Sequence, residues 1–151
     1  MHVAKRILVA LDRTPESEAV LPIVADIARS AGSTVRLLNV QPLPEAVVAE
    51  YGRVVAYQDQ EMERVEASGE LYLEGAEATL HGVPAERVVR FGKPAEEILT
   101  EADAWDADLI VMAAPTPGWL PWGGGRVTRQ VSRRAPVPVL VQQSPVAGGQ
   151  R

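Results

Sequence analysis

The sequence predicts one α/β domain, an open parallel sheet of five strands wound by helices on both faces. Two observations carry this prediction. Short runs rich in valine, leucine and isoleucine recur along the chain, and segments of helical period separate them. Strands that alternate with helices build a parallel sheet through right-handed crossovers. A length of 151 residues suits a single core of this kind. Residues 1–143 are read as the domain. Residues 144–151, which have no apolar period, are read as a disordered tail.

The first run, Arg6-Ile7-Leu8-Val9-Ala10-Leu11-Asp12, is a buried strand ending in an acid. Thr14-Pro15-Glu16 then supplies an N-cap hydroxyl, a proline at the first helical position and an acid in the first turn. Val20, Ile23, Val24, Ile27 and Ala31 continue that helix, Pro22 is expected to bend it, and Gly32 stops it. Thr34-Val35-Arg36-Leu37-Leu38-Asn39-Val40 is the second strand, and Gln41-Pro42-Leu43-Pro44 ends it. A long helical pattern occupies much of residues 45–81. Its stripe runs through Val47, Tyr51, Val54, Gln58, Met62, Val65, Tyr72, Ala76 and Leu80, with Gly52, Gly69 and Gly75 expected to weaken it. The third strand covers residues 86–91. Gly92-Lys93-Pro94 opens a helix carrying Ile98, Leu99 and Ala102. Asp108-Leu109-Ile110-Val111-Met112-Ala113 is the fourth strand, residues 127–134 form a short helix, and Val137-Pro138-Val139-Leu140-Val141 is the last strand. Ligands of such sheets lie beyond the carboxyl ends of the strands, where the strand order reverses. Asp12, Val40 and the loop after Ala113 stand at those ends.

Composition narrows the chemistry. There is no cysteine, so no disulfide framework, thiolate nucleophile or cysteine metal site is available. The two histidines are the near-terminal His2 and His81 beside Gly82, which leaves neither a histidine metal site nor a catalytic triad. The net charge of −5 argues against nonspecific nucleic-acid binding. No apolar stretch approaches a membrane span, and the expected compartment is the cytoplasm. The charge is uneven, with sixteen of the 20 acids between Glu45 and Asp108. The segment from Gly123 to Arg134 has Arg126, Arg129, Arg133 and Arg134 and no acid. These arginines are read as a solvated helix face. Gly118 and Gly123 have the spacing that begins a kinase-type phosphate loop, but Gly124 and Gly125 occupy the lysine and hydroxyl positions, which excludes that loop. No Gly-x-Ser-x-Gly elbow exists.

Three segments in order resemble the universal stress protein family. They are the opening strand ending in Asp12 with its capped helix; Phe91-Gly92-Lys93-Pro94-Ala95-Glu96-Glu97-Ile98-Leu99 leading to Ala107-Asp108-Leu109-Ile110-Val111-Met112; and Arg134-Ala135-Pro136-Val137-Pro138-Val139-Leu140-Val141. The resemblance covers about residues 5–142. It implies strand order 3-2-1-4-5 and a nucleotide site formed by Asp12, Val40, Ala113, Gly125, Arg126 and Val127, with Asp12 facing adenine and ribose.

ATP-binding members of that family carry glycine, two residues, glycine, nine residues, then glycine and serine or threonine. The glycines let backbone amides approach the phosphates, and the last ones lead into a helix N-terminus. Here Ala113 and Thr116 replace the first two glycines. Gly125 comes one residue early, and Arg126 replaces the hydroxyl. Ala113-Ala114-Pro115-Thr116-Pro117-Gly118-Trp119-Leu120-Pro121-Trp122 contains three prolines, which offer no amide donor, and two tryptophans that would fill an adenine-sized void or form a contact patch. The leading expectation is therefore a noncatalytic stress-response protein with a degenerate ATP loop and no cofactor or metal. It would pair as a homodimer through its last strand, Val137 to Val141, with a protein partner at Trp119 to Trp122. The alternative is a switch that binds ATP or AMP through Asp12, Gly123-Gly124-Gly125 and Arg126. A slow ATPase is a third and weaker reading, because no residue stands out as a base. Asp12 itself is read either as a ligand-facing acid or as a cap for the following helix.

Overall fold

The computed structural model describes residues 4–44, 53–114 and 125–143, and for residues 53–58 the backbone alone. The elements are β1 (Arg6–Ala10), α1 (Pro15–Glu18), α2 (Leu21–Ala31), β2 (Thr34–Gln41), α3 (Arg53–Glu77), β3 (Ala85–Phe91), α4 (Pro94–Trp105), β4 (Leu109–Ala113), α5 (Arg126–Arg134) and β5 (Val139–Gln142). All four strand pairings are parallel, and the order is β3-β2-β1-β4-β5, as the resemblance implied. The order reverses between β1 and β4. The expected tail, residues 45–52 and the loop bearing Thr116, Gly118, Trp119, Trp122, Gly123 and Gly124 lie outside the described residues.

The sheet is buried on both faces because side chains alternate across it. Ile7, Val9 and Leu11 of the β1 segment join Val35 and Leu37 of β2 under α2 and α3. Leu8, Ala10, Leu38 and Val40 join Ile98 of α4 and Val127 and Val131 of α5 on the opposite face. Ile7, Leu8, Val9, Val35, Leu37 and Leu38 are all fully buried, which explains why these strands read as continuous apolar runs.

Several boundaries differ from the sequence reading, each for a local reason. Pro22 does more than bend the first helix. It lies in the first turn of α2, and the chain is divided there into α1 and α2. Thr14 caps α1 as expected, and Gly32 closes α2 in the left-handed conformation at φ 70°. Asp108 lies outside β4. Its carboxylate accepts from the amides of Lys5 and Arg6 at 2.8 and 2.9 Å and so ties down the start of β1. The last strand begins at Val139 instead of Val137. Pro138 has no amide to donate, though its carbonyl accepts from Ile110 at 3.0 Å. In α3 the buried positions among residues 59–77 are Gly69, Leu73 and Ala76, with Tyr72 half-buried, and Leu80 is buried just beyond its end. Gly69 is a close-approach residue here. A methyl added to it would lie 2.9 Å from Val89 Cγ2, so the missing side chain lets α3 settle onto β3.

Candidate functional site

The carboxyl ends of β1, β2 and β3 open into one cleft of about 730 Å³. That volume is within the usual range of small-molecule sites, roughly 300–1,000 Å³. Asp12 and Arg13 line it from the end of β1, Val40 and Gln41 from β2, Lys93 and Glu96 from the start of α4, and Arg126, Val127, Gln130 and Arg134 from α5. Of the six expected site residues, four therefore share the cleft: Asp12, Val40, Arg126 and Val127. Gly125 is the adjoining N-cap of α5, in the left-handed conformation at φ 90°. Ala113 is the exception. It ends β4 opposite Gln142 and is not among the lining residues.

Asp12 lines the cleft and supports the helix start through Thr14, which is itself the N-cap of α1. Its Oδ1 accepts from the Thr14 amide at 3.0 Å and the Thr14 hydroxyl at 2.5 Å. Thr14 Oγ1 in turn accepts from the Ser17 amide at 3.1 Å, which is the cap of α1. The Asp12 amide donates to Ser17 Oγ at 3.2 Å. One carboxylate oxygen thus holds the helix start. Oδ2 has no hydrogen-bond partner among the described residues and belongs to an acid that lines the cleft. The next residue, Arg13, has φ 71°, an uncommon conformation for a side chain-bearing residue. Its guanidinium donates to Ser68 Oγ at 3.1 Å and lies 5.5 Å from the ring centroid of Tyr72.

The second wall is built at Gly92-Lys93-Pro94. Gly92 has φ 142°, and a methyl there would meet Glu97 Oε2 at 2.7 Å, so only glycine fits this turn. Lys93 is the N-cap residue of α4 and Pro94 follows in its first turn. Glu97 is held by Arg90, whose Nε donates to Oε1 at 2.7 Å. On the α3 side of the sheet, Asn39 is 1% exposed and donates to the Leu11 carbonyl at 2.8 Å, while Gln41 donates to the Asn39 side-chain oxygen. These bonds fix the ends of β1 and β2 where the cleft begins.

Electrostatics sets this cleft apart. Arg29, Arg36, Arg64, Arg87 and Arg90 each pair with a carboxylate. The side chains of Lys93, Arg126 and Arg134, like those of Arg129 and Arg133 outside the cleft, have no ion pair or hydrogen bond among the described residues. The lining carries four cationic side chains, Arg13, Lys93, Arg126 and Arg134, against two carboxylates, Asp12 and Glu96. A chain of net charge −5 has therefore gathered unpaired cations at the end of its sheet. Sequence reasoning placed Arg126 there but missed Lys93, Gln130 and Arg134. Their signal was available in part, because a lysine directly after a strand-ending glycine occupies the topologically active edge.

Known proteins place the chain in context. The model of the universal stress protein family matches residues 4–142. Among curated proteins no sequence matches this chain significantly. Solved structures share the fold at low identity. The hypothetical protein MJ0577 superposes with a TM-score of 0.79 at 22% identity, covering 95% of this chain and 99% of that one. A universal stress protein in complex with cAMP gives 0.64 at 18%, covering 95% and 100%. The universal stress protein of Archaeoglobus fulgidus in complex with dAMP gives 0.54 at 22%, covering 93% and 98%. Those ligands belong to those proteins, and the likeness by itself establishes the fold. With the strand order observed and the family model spanning nearly the whole sheet, this chain belongs to the universal stress protein family.

Proposed function

We propose that the protein is a noncatalytic regulatory binder of an adenine nucleotide, held in the cleft between β1, β2, α4 and α5. The observation that carries this reading is the set of unpaired cations Lys93, Arg126 and Arg134 lining a cleft of about 730 Å³ in an acidic chain. The phosphate goes to Arg126 at the start of α5, where the guanidinium and the helix N-terminus both favour an anion. Asp12 and Val40 take the ribose and adenine side, as the family resemblance implies. The degenerate loop offers fewer glycine amides than the family pattern, so side-chain charge replaces backbone donors. Universal stress proteins of the same fold have been solved with cAMP and with dAMP, which supports a monophosphate-type ligand.

Isothermal titration with AMP and with ATP, after any carried-over nucleotide is stripped, tests this. A micromolar dissociation constant is expected, weakened about tenfold or more in Arg126→Ala, the scale of a charge-assisted hydrogen bond. No heat up to millimolar nucleotide from a folded sample overturns the reading.

A second reading concerns assembly. β5 is an edge strand of the sheet, and its Leu140 is 36% exposed. An apolar edge favours a twofold partner, and pairing of two copies through β5 would cover it.

A further inference from the structure

Beyond the single phosphate at the start of α5, the arrangement of that helix carries a second position. Arg126, Gln130 and Arg134 are spaced four residues apart and all three line the cleft. They form one stripe over successive turns. At a rise of about 1.5 Å per residue, the eight steps from Arg126 to Arg134 span about 12 Å along the helix axis. A phosphate at Gly125 and Arg126 does not reach the far end of that stripe. Arg134 nevertheless lines the same cleft, without an acid partner among the described residues, and Gln130 adds an amide between the two arginines. The helix dipole accounts equally for Arg133 and Arg134, which are both in the last turn, but only Arg134 lines the cleft.

We infer that the cleft accepts an adenine nucleotide with two phosphoryl groups on separate arms of the ribose, one read by Arg126 and the other by Gln130 and Arg134. The inference rests on the nucleotide reading above and names its substrate class more narrowly. Glu96, the acid of the α4 wall, disfavours a third anionic group beside it. Two phosphates held together at the α5 start would leave Arg134, about 12 Å along the helix axis, without an anion.

The test is titration of the full chain with AMP, ADP and adenosine 3′,5′-bisphosphate, in the wild type, Arg134→Gln and Arg133→Gln. Both arginines are exposed, so neither change threatens the fold. The bisphosphate is expected to bind about tenfold more tightly than AMP, the scale of one additional charge-assisted contact. Arg134→Gln should bring the bisphosphate-to-AMP affinity ratio down to about one, and Arg133→Gln should preserve the advantage. Equal affinity for AMP and the bisphosphate overturns the inference and leaves the nucleotide reading standing. So does an advantage that survives Arg134→Gln or disappears equally in Arg133→Gln. An advantage that ADP matches overturns the separate-arm placement. Absence of binding by all three nucleotides overturns both readings together.

Discussion

Tyr72 shows how one side chain ties helices together near the cleft. Its hydroxyl donates to Glu18 at 2.8 Å, and Arg13 stacks on its ring. Burial first, then the hydrogen bond to Glu18 and that carboxylate's charge, raise the phenol well above its ordinary value near 10. The folded state therefore keeps its proton at a pH where the unfolded chain has lost it. This contribution is fully present below about pH 10 and is lost as pH rises toward the folded value. The thermal midpoint of the wild type should fall more steeply above about pH 10 than that of Tyr72→Phe. Parallel curves would show that Tyr72 is not protected.

At the scale of elements, two glycines of α3 should respond in opposite directions to the same substitution. Gly75 has nothing within 4 Å of an added methyl, so Gly75→Ala is expected to stabilise by about 0.5–1 kcal/mol through helix propensity. Gly69 faces Val89 Cγ2 at 2.9 Å and Asn39 Oδ1 at 3.3 Å. Gly69→Ala should lose more in displaced packing than it gains in propensity, for a net loss of about 1 kcal/mol. Urea unfolding of the two variants measures both signs. The α4 side carries a second test. Glu101 is 4% exposed and bridges Arg36 at 2.6 Å and Arg90 at 3.0 Å. Arg36 also holds Glu86 and lies 4.6 Å from the Trp105 ring centroid, while Arg90 holds Glu97 behind Gly92. Removing one partner of a buried pair costs about 3–5 kcal/mol. The two arginines keep other acids, so about 2–3 kcal/mol is expected for Glu101→Ala. Glu61→Ala, which removes an exposed i,i+3 partner of Arg64, should cost less than about 0.5 kcal/mol. Denaturant midpoints distinguish these two cases.

At the scale of the whole molecule, the sheet has two edges, β3 and β5. The β3 edge is guarded by charge, with Arg87 paired to Glu70 and Glu77 at 3.2 and 2.5 Å. β5, with the sequence Val-Leu-Val-Gln, presents no charged side chain. Charged residues on an edge discourage further strand pairing, and an uncharged apolar edge invites it. Sedimentation equilibrium should therefore find a dimer, and Leu140→Glu should shift it to monomer without lowering the unfolding midpoint of the monomeric fold. A wild type that sediments as a monomer at high concentration removes the β5 assembly reading.

Local chemistry made much of the fold legible. The runs around Ile7, Leu37 and Val111 are apolar on both faces because each strand is sandwiched between helices, and Thr14 and Gly32 carry their capping roles in their own side-chain and backbone properties. Asp12, Val40, Arg126 and Val127 were recognisable as neighbours in one cleft because each lies at or just after an element boundary that the family pattern marks. Gly69 was not legible as a packing residue, since its function depends on Val89, twenty residues away on a neighbouring strand. The sequence by itself thus determined the element types, their order and the strand-end positions of the site. Only the tertiary structure decided that Lys93, Gln130 and Arg134 share a cleft with Asp12, and that Glu101 bridges two arginines. The physical reason is that parallel crossovers bring every strand's carboxyl end to one edge, so residues far apart in the chain meet there through packing that no local pattern encodes.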